Sequence, residues 1–376
     1  MDVIRSTNVN EAYLKGLHLI ATKGVLEKSR AGDVLVVPNP VVTQYNYPME
    51  RVLFDVTRDA NPWFHLMEAL WMLMGRNDAT WLDRFVKDYS KRFAEDDGTQ
   101  WGAYGQRWRS HFLSTSMESY EEGPIDPLFD QLSEVVRLLH KNPNDRRVVL
   151  QMWDPEYDLG KNTKDVPCNL CVLPRVVNKK LDITVFCRSN DAIWGAYGSN
   201  AVHFSILQEY LAARLGVGIG TYYQISNNFH AYKNVFEAKT KHLIIDPAGP
   251  TGPAPTPIGK SEFVVAPAWY RPADTLQCPY YFHTAKPTPI VTAGDTFDDD
   301  LIQFFSGDHP PIKYYHNSFF SEIAIPMYYS FKAWRDKDLT GALQWLTRMP
   351  EPNGDWRLAC QQWYDRRRYA GTKVQS

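Results

Sequence analysis

The chain is short of several things that would settle its class at once. Five cysteines in 376 residues do not make a disulfide scaffold, and reduced thiols are expected. No run approaches the roughly 20 apolar residues that span a bilayer, and Met1-Asp2-Val3-Ile4-Arg5 lacks an apolar signal core. A cytoplasmic protein without membrane contact is therefore expected. Net charge is almost absent: 41 basic against 43 acidic side chains leave −2. No global field draws such a protein to nucleic acid, so any anion site has to be local. Internal repeats and the G-x-G-x-x-G dinucleotide fingerprint are also missing.

What is present is core-forming material, 44% hydrophobic and 14% aromatic, enough for one elaborated domain. Tyr13, Leu14, Leu17, Ile20 and Ala21 share one side of a helix that Asn10 would cap and that ends near Gly24. Ser29-Arg30-Ala31-Gly32 forms a turn before the β-branched run 34–37. Asn61 and Pro62 open a helix striped by Phe64, Met67, Leu70, Trp71 and Met74, with Gly75 suited to its end. Further helices are predicted over 127–139, 200–216, 297–305, 319–334, 339–346 and 356–368, and strands over 148–153, 181–187 and 219–226. Residues 246–259 hold five prolines and three glycines and read as a loop. The domain plan is a catalytic region over 1–245, a Pro/Gly-rich loop over 246–262, and a C-terminal part of the same domain over 263–376.

The chemistry concentrates between Asn144 and Tyr232. Cys168 stands in Asp165-Val166-Pro167-Cys168-Asn169, with Asp145-Arg146-Arg147 upstream and Arg188-Ser189-Asn190-Asp191 downstream. Cys168 and Cys171 make a C-x-x-C pair, but no second pair completes a zinc site. Val172-Leu173-Pro174 after it looks extended, not like the helix a thiol-redox motif opens. A nucleophilic Cys168 with its thiol depressed by nearby arginines is one reading, and a buried structural cysteine is the other. Glu68, among apolar neighbours, is either a general acid/base or part of a solvated helix face. Tyr104 in Ala103-Tyr104-Gly105-Gln106-Arg107-Trp108 marks a close backbone approach or a packed aromatic turn.

Taken together, Asp145-Arg146-Arg147, Val166-Pro167-Cys168, Arg188-Ser189-Asn190-Asp191, Gly195 with Asn200, and His230-Ala231-Tyr232 resemble the thymidylate synthase and deoxypyrimidine-nucleotide hydroxymethylase superfamily. Glu68 and Tyr104 fit the same pattern, and the resemblance covers about residues 10 to 240. It implies an α/β (α+β) fold with a large mixed sheet flanked by helices, and a homodimer built by packing the sheets together. It implies a pyrimidine deoxynucleoside monophosphate as substrate and 5,10-methylenetetrahydrofolate as cofactor. Cys168 would add to C6 of the base. Arg30, Arg188 and Ser189 would hold the 5′-phosphate with Arg146 and Arg147 from the partner subunit, and His230 and Tyr232 would bind the 3′-hydroxyl. Asp191 and Gly195 match folate-site positions, and Glu68 and Tyr104 match positions that organise water and proton transfer.

Departures from the pattern point to the subtype. Synthases follow the nucleophile with histidine, where this chain has Asn169. The tryptophan that packs on the folate aligns near Tyr89 or Ser90, and Phe93 falls near a second tryptophan position. The ending Thr372-Lys373-Val374-Gln375-Ser376 lacks a short apolar closing tail. Losing the indole and the tail favours admission of water, hence hydroxymethylation over methylation. Asn200 matches the base-reading asparagine if one residue is inserted within 195–199; otherwise Ser199 aligns. His203, one helical turn on, adds a further contact. An amide suits uracil, where aspartate suits cytosine, so dUMP is preferred to dCMP. The competing readings are a methylating synthase, a nucleotide- or RNA-binding relative that does not need Cys168, and a thiol-redox protein that needs Cys171 equally. Members that act outside ordinary thymidylate synthesis are often viral, so a bacteriophage source and a host cytoplasm are expected.

Overall fold

The computed structural model describes residues 1–112, 129–241, 285–291, 296–352 and 354–372. The loop expected over 246–262, the boundary placed at 245, the start of the helix expected from 127, and residues 373–376 lie outside them.

Eight strands make one mixed sheet: β1 (Asp2–Ser6), β2 (Val25–Ser29), β3 (Gly32–Val37), β4 (Val41–Tyr45), β5 (Leu150–Gln151), β6 (Asn169–Val177), β7 (Lys180–Asp191) and β8 (Gly218–Tyr232). Their order is β1-β4-β8-β7-β6-β5, with β3 also on β8 and β2 paired to β3. The helices are α1 (Val9–Lys23), α2 (Pro62–Leu73), α3 (Tyr89–Phe93), α4 (Tyr104–Arg109), α5 (Gln131–Lys141), α6 (Pro155–Asp158), α7 (Asn200–Leu215), α8 (Lys233–Thr240), α9 (Phe297–Phe304), α10 (Ile325–Arg335), α11 (Leu339–Leu346) and α12 (Asp355–Thr372). This is the mixed sheet flanked by helices that the resemblance implied.

The differences from expectation are local. Asn8, not Asn10, caps α1, accepting from the Glu11 amide. Asn10 is buried and ties α1 to the loop between β4 and α2 through Val52 O at 3.0 Å and Phe54 N at 2.9 Å. β8 runs six residues past Ser226, because β7 and β3 pair with its polar end: Asp191 and Val36 both face His230. Apolar alternation cannot reveal such a strand. β5 keeps only two of the six residues expected, since it pairs only with Cys171 and Val172 of β6. Between β7 and α7, residues Ala192–Ser199 form a π-helix, with the Asn200 N–H bonded to Gly195 O.

One face of the sheet carries Thr43, Tyr45, Val172, Ile183, Val185, Tyr222 and Gln224, all buried. The other face presents two registered rows across β6, β7, β8 and β4: Leu173-Thr184-Tyr223-Gln44 and Cys171-Phe186-Ile225-Val42. These residues keep solvent exposure.

The C-terminal helices share the core. Trp63 of α2 packs on Phe331 of α10 and on Trp363 and Tyr364 of α12, with ring centroids 4.7–5.1 Å apart. Glu209 of α7 forms a buried ion pair with Arg51 and accepts the amides of Ile290 and Val291 at 2.6 and 3.1 Å. Arg366 and Arg367 pair with Asp59, tying α12 to the loop before α2. No helix among the described residues is long and apolar enough to cross a membrane.

Candidate active site

Cys168 lies at the start of β6, where its carbonyl accepts from Arg188 N at 2.9 Å. The hydroxyl of Tyr104 sits beneath it and accepts the amides of Cys168 and Asn169, both at 3.2 Å. Tyr104 begins α4, which Arg107 anchors through a buried two-pronged pair to Asp158 at 2.8 and 2.9 Å. Gly105 lets α4 meet α2, because a Cβ there would stand 2.0 Å from Met72 O. The Arg188 guanidinium donates to Pro167 O at 2.9 Å and Val166 O at 3.0 Å, cradling the loop that carries the thiol.

Burial pushes the Cys168 thiol up; Arg188 pulls it down and Asp165 adds to the rise, leaving it raised. The depressed thiol expected from the arginines is therefore corrected: desolvation outweighs one guanidinium, and Arg146 and Arg147 exert no such pull here. Cys171 faces the opposite side of the sheet, and the described cysteines, 168, 171, 187 and 360, are all free.

Behind the thiol runs a chain of amides. Asn169 Nδ2 donates to Asn200 Oδ1 at 3.1 Å, Asn200 Nδ2 to Asn190 Oδ1 at 3.1 Å, and Asn190 Nδ2 to Ser226 Oγ at 2.9 Å. Asn200 keeps one donor and one acceptor valence for a ligand. A Cβ on Gly195 would stand 2.9 Å from Asn190 Oδ1, so the chain needs glycine there. A π turn holds one residue more than an α turn, which is the room the inserted residue before Asn200 requires.

Glu68, on α2, is buried. Its Oε1 lies 3.0 Å from the Tyr89 hydroxyl, and its Oε2 lies 3.0 Å from His203 Nε2, off the line of a hydrogen bond. Tyr89 also meets Gln100 Oε1 at 3.0 Å, and Gln100 Nε2 donates to Asp165 Oδ2 at 2.6 Å. Tyr89 is thus buried against the carboxylate.

Asp191 accepts the amides of Ile193 and Trp194 at 2.8 and 2.6 Å, while its Oδ2 is buried without a partner. Burial raises its carboxyl. Trp194 beside it is 45% exposed, with the Arg58 guanidinium 4.2 Å from its ring centre and Arg58 Nε bonded to Ile193 O at 2.6 Å. An orphaned acceptor next to an open indole fits a flat heterocycle with ring N–H donors, as a pterin has.

The remaining predicted residues form a looser group. His230 Nδ1 is 2.8 Å from Asn228 Oδ1, and its ring meets that of Tyr232 edge-on at 5.8 Å. Arg30, in the β2–β3 turn, is exposed and close to Tyr232: burial, Asp191 and Cys168 raise the Tyr232 phenol, and Arg30 opposes that rise. Ser189 faces Asn228 across β7 and β8. Arg146 and Arg147 are exposed, and Arg147 turns back on Asp145 at 2.8 and 2.9 Å. They are not brought to Cys168 within one chain. Arg58, Gln100 and Trp194 were not singled out from sequence; a basic or aromatic identity near known motifs could have marked Arg58 and Trp194, and nothing local marks Gln100.

These features, a thiol on a sheet edge backed by amides and a buried carboxyl, belong to a nucleotide-modifying enzyme. The family model described as thymidylate synthase matches residues 11–251, and the chain belongs to that family. It is 40% identical over 376 residues, 98% of this chain and 95% of the relative, to the deoxyuridylate hydroxymethyltransferase of Pseudomonas phage M6. It is 36% identical over 233 residues to the enzyme of the same name from Bacillus phage SP01, covering 61% and 58% of the two chains. It is 27% identical over 237 residues to the thymidylate synthase of Buchnera aphidicola, covering 63% and 84%. The family implies one-carbon transfer to a pyrimidine nucleotide with a folate cofactor.

Proposed function

We propose that this protein transfers a one-carbon unit to C5 of dUMP and releases the 5-hydroxymethyl nucleotide. The observation that carries the proposal is the amide chain holding Asn200 beside Cys168. Cys168 Sγ adds to C6 of uracil, and C5 becomes nucleophilic. Bound 5,10-methylenetetrahydrofolate supplies the carbon at the methylene level. C5 would then lose its proton as the carbon–nitrogen bond to the folate breaks and tetrahydrofolate leaves, water would add to the exocyclic carbon, and the S–C6 bond would break to return the Cys168 thiolate.

The chain's own residues divide the work. Arg188 positions the Cys168 loop and stabilises the thiolate. The free valences of Asn200 meet uracil N3–H and O4 in one order; cytosine needs the reverse order, which requires the amides to flip. Glu68 and Tyr104 handle protons and water, and His230 with Tyr232 receives the 3′-hydroxyl. Arg30, Arg188 and Ser189 take the phosphate. The Asp191 carboxylate, Gly195 and Trp194 form the pterin side, with Trp194 offering the indole that Tyr89 does not. The two open rows of the sheet are the face for a second copy, which would bring Arg146 and Arg147 to the phosphate.

Incubation with dUMP or dCMP and 5,10-methylenetetrahydrofolate tests this reading. Tetrahydrofolate and 5-hydroxymethyl-dUMP are expected. Dihydrofolate with a 5-methyl product would make it a synthase, and preference for dCMP would overturn the base assignment.

A further inference from the structure

Glu68, Tyr89, Gln100 and Asp165 form an unbroken row of three contacts: 3.0, 3.0 and 2.6 Å. Each contact needs one hydrogen between its two atoms, since two unprotonated oxygens do not approach so closely. Tyr89 supplies one. Gln100 supplies one more, because its amide presents a donor at one end and an acceptor at the other. The third can only come from a carboxyl, and the count is the same whichever way the amide faces.

We infer that Glu68 and Asp165 share a single proton at neutral pH, and that Tyr89 and Gln100 form the relay between them. With the proton on Glu68, it donates to Tyr89, Tyr89 donates to Gln100 Oε1, and Gln100 Nε2 donates to Asp165. With the proton on Asp165, all three bonds reverse and the Gln100 amide turns over. Asp165 stands three residues before Cys168, so the row links the carboxyl assigned to proton handling with the chain segment that carries the nucleophile.

The surroundings agree. Burial raises the Asp165 carboxyl, Glu68 adds to the rise, and Gln100 and Arg188 oppose it. Burial likewise holds the Tyr89 phenol far above its ordinary range, so Tyr89 passes a hydrogen on without ionising. Glu68 is also faced by His203 of α7. His65, one turn back on α2, is held neutral by burial, Arg58 and His203. Asp165 is faced by Arg188 of β7, by Tyr104 of α4 and by Cys168. The relay deepens the proposed reaction and gives Asp165, Gln100 and Tyr89 positioning roles that act through Glu68.

Infrared difference spectra of the ligand-free protein provide the test. Wild-type-minus-variant spectra at pH 7 should show the loss of one protonated-carboxyl C=O band in both Asp165→Asn and Glu68→Gln; the buried carboxyls of Asp355, pushed up to about 7, and of Asp191 are common to both proteins and cancel. In each variant the new amide supplies the missing hydrogen, and the surviving carboxyl ionises. A difference spectrum without that lost band, for either variant, would overturn the inference. If Asp165→Asn does not fold, Asp165→Leu should give the same loss, because Gln100 is then free to donate to Tyr89. In turnover, Asp165→Asn should move the limb of the kcat profile that reports the shared proton to lower pH by about one unit or more, with the nucleotide KM held. An unmoved limb would count against the relay. The spectra need no turnover, so a mistaken substrate assignment would leave this test intact.

Discussion

The two ends of the proposed site are built differently. The proposed base end is complete within one chain: Asn169, Asn190 and Asn200 bond to one another, and Glu68 is bonded to Tyr89 of α3 and faced by His203 of α7. At the phosphate end, Arg30, Arg146 and Arg147 are exposed, and Arg147 is spent on Asp145. Reading a base depends on donors and acceptors fixed before binding, since a misplaced buried amide costs affinity. Holding a dianion tolerates mobile cations that gather when it arrives. Specificity is thus stored at one end, and assembly at the other.

The largest effect expected is at the nucleophile that both ends serve. Cys168→Ala should lower turnover by about 10⁴-fold or more while nucleotide still binds and the melting curve holds; measurable turnover would remove the thiol from the reaction. Next comes the base end. Asn200→Asp should cost dUMP about 10²–10³-fold in kcat/KM and raise that of dCMP; equal losses for both would show a structural role only.

The phosphate end should respond more weakly. Arg147→Ala should raise the nucleotide KM about 10–100-fold with unchanged melting. If the partner subunit supplies Arg147, mixing Arg147→Ala with Cys168→Ala chains should restore activity through hybrid dimers. No restoration would confine each site to one chain. Arg188 joins the two ends, and its charge lowers a thiol that burial raises. Arg188→Met should therefore move the alkylation profile of Cys168 to higher pH by about one unit; an unmoved profile would assign Arg188 to the loop alone. The smallest effect is on the cofactor side, where Trp194→Ala should raise the folate KM several-fold and leave that of dUMP unchanged.

The sequence made the core legible because α1, α2 and α7 alternate at helical spacing, and the caps Asn61 and Gly216 are conspicuous. Cys168, Glu68, Tyr104, Asn200 and Asp191 were visible because their neighbours repeat a known pattern. The polar end of β8 was not, since its pairing comes from β7 and β3 and not from its own side chains. Tyr89 illustrates a second limit. Alignment placed it at a ring-stacking position, whereas the fold turns its hydroxyl onto Glu68, a contact between residues 21 apart. Gln100 and Asp165 lie 65 residues apart, and no local spacing announces that they touch.

The π-helical turn at 192–199 also acts as a length adjuster. It absorbs one residue while keeping Asn190 and Asn200 in contact. Removing Ser199 would restore an ordinary α turn and advance every later position of α7 by about 100° around the helix. Asn200 would swing away from its two partners, and His203 from Glu68, in the same step. The segment is therefore intolerant of shortening as well as of a side chain at Gly195, and its fitness is set by how many residues it has as much as by which they are.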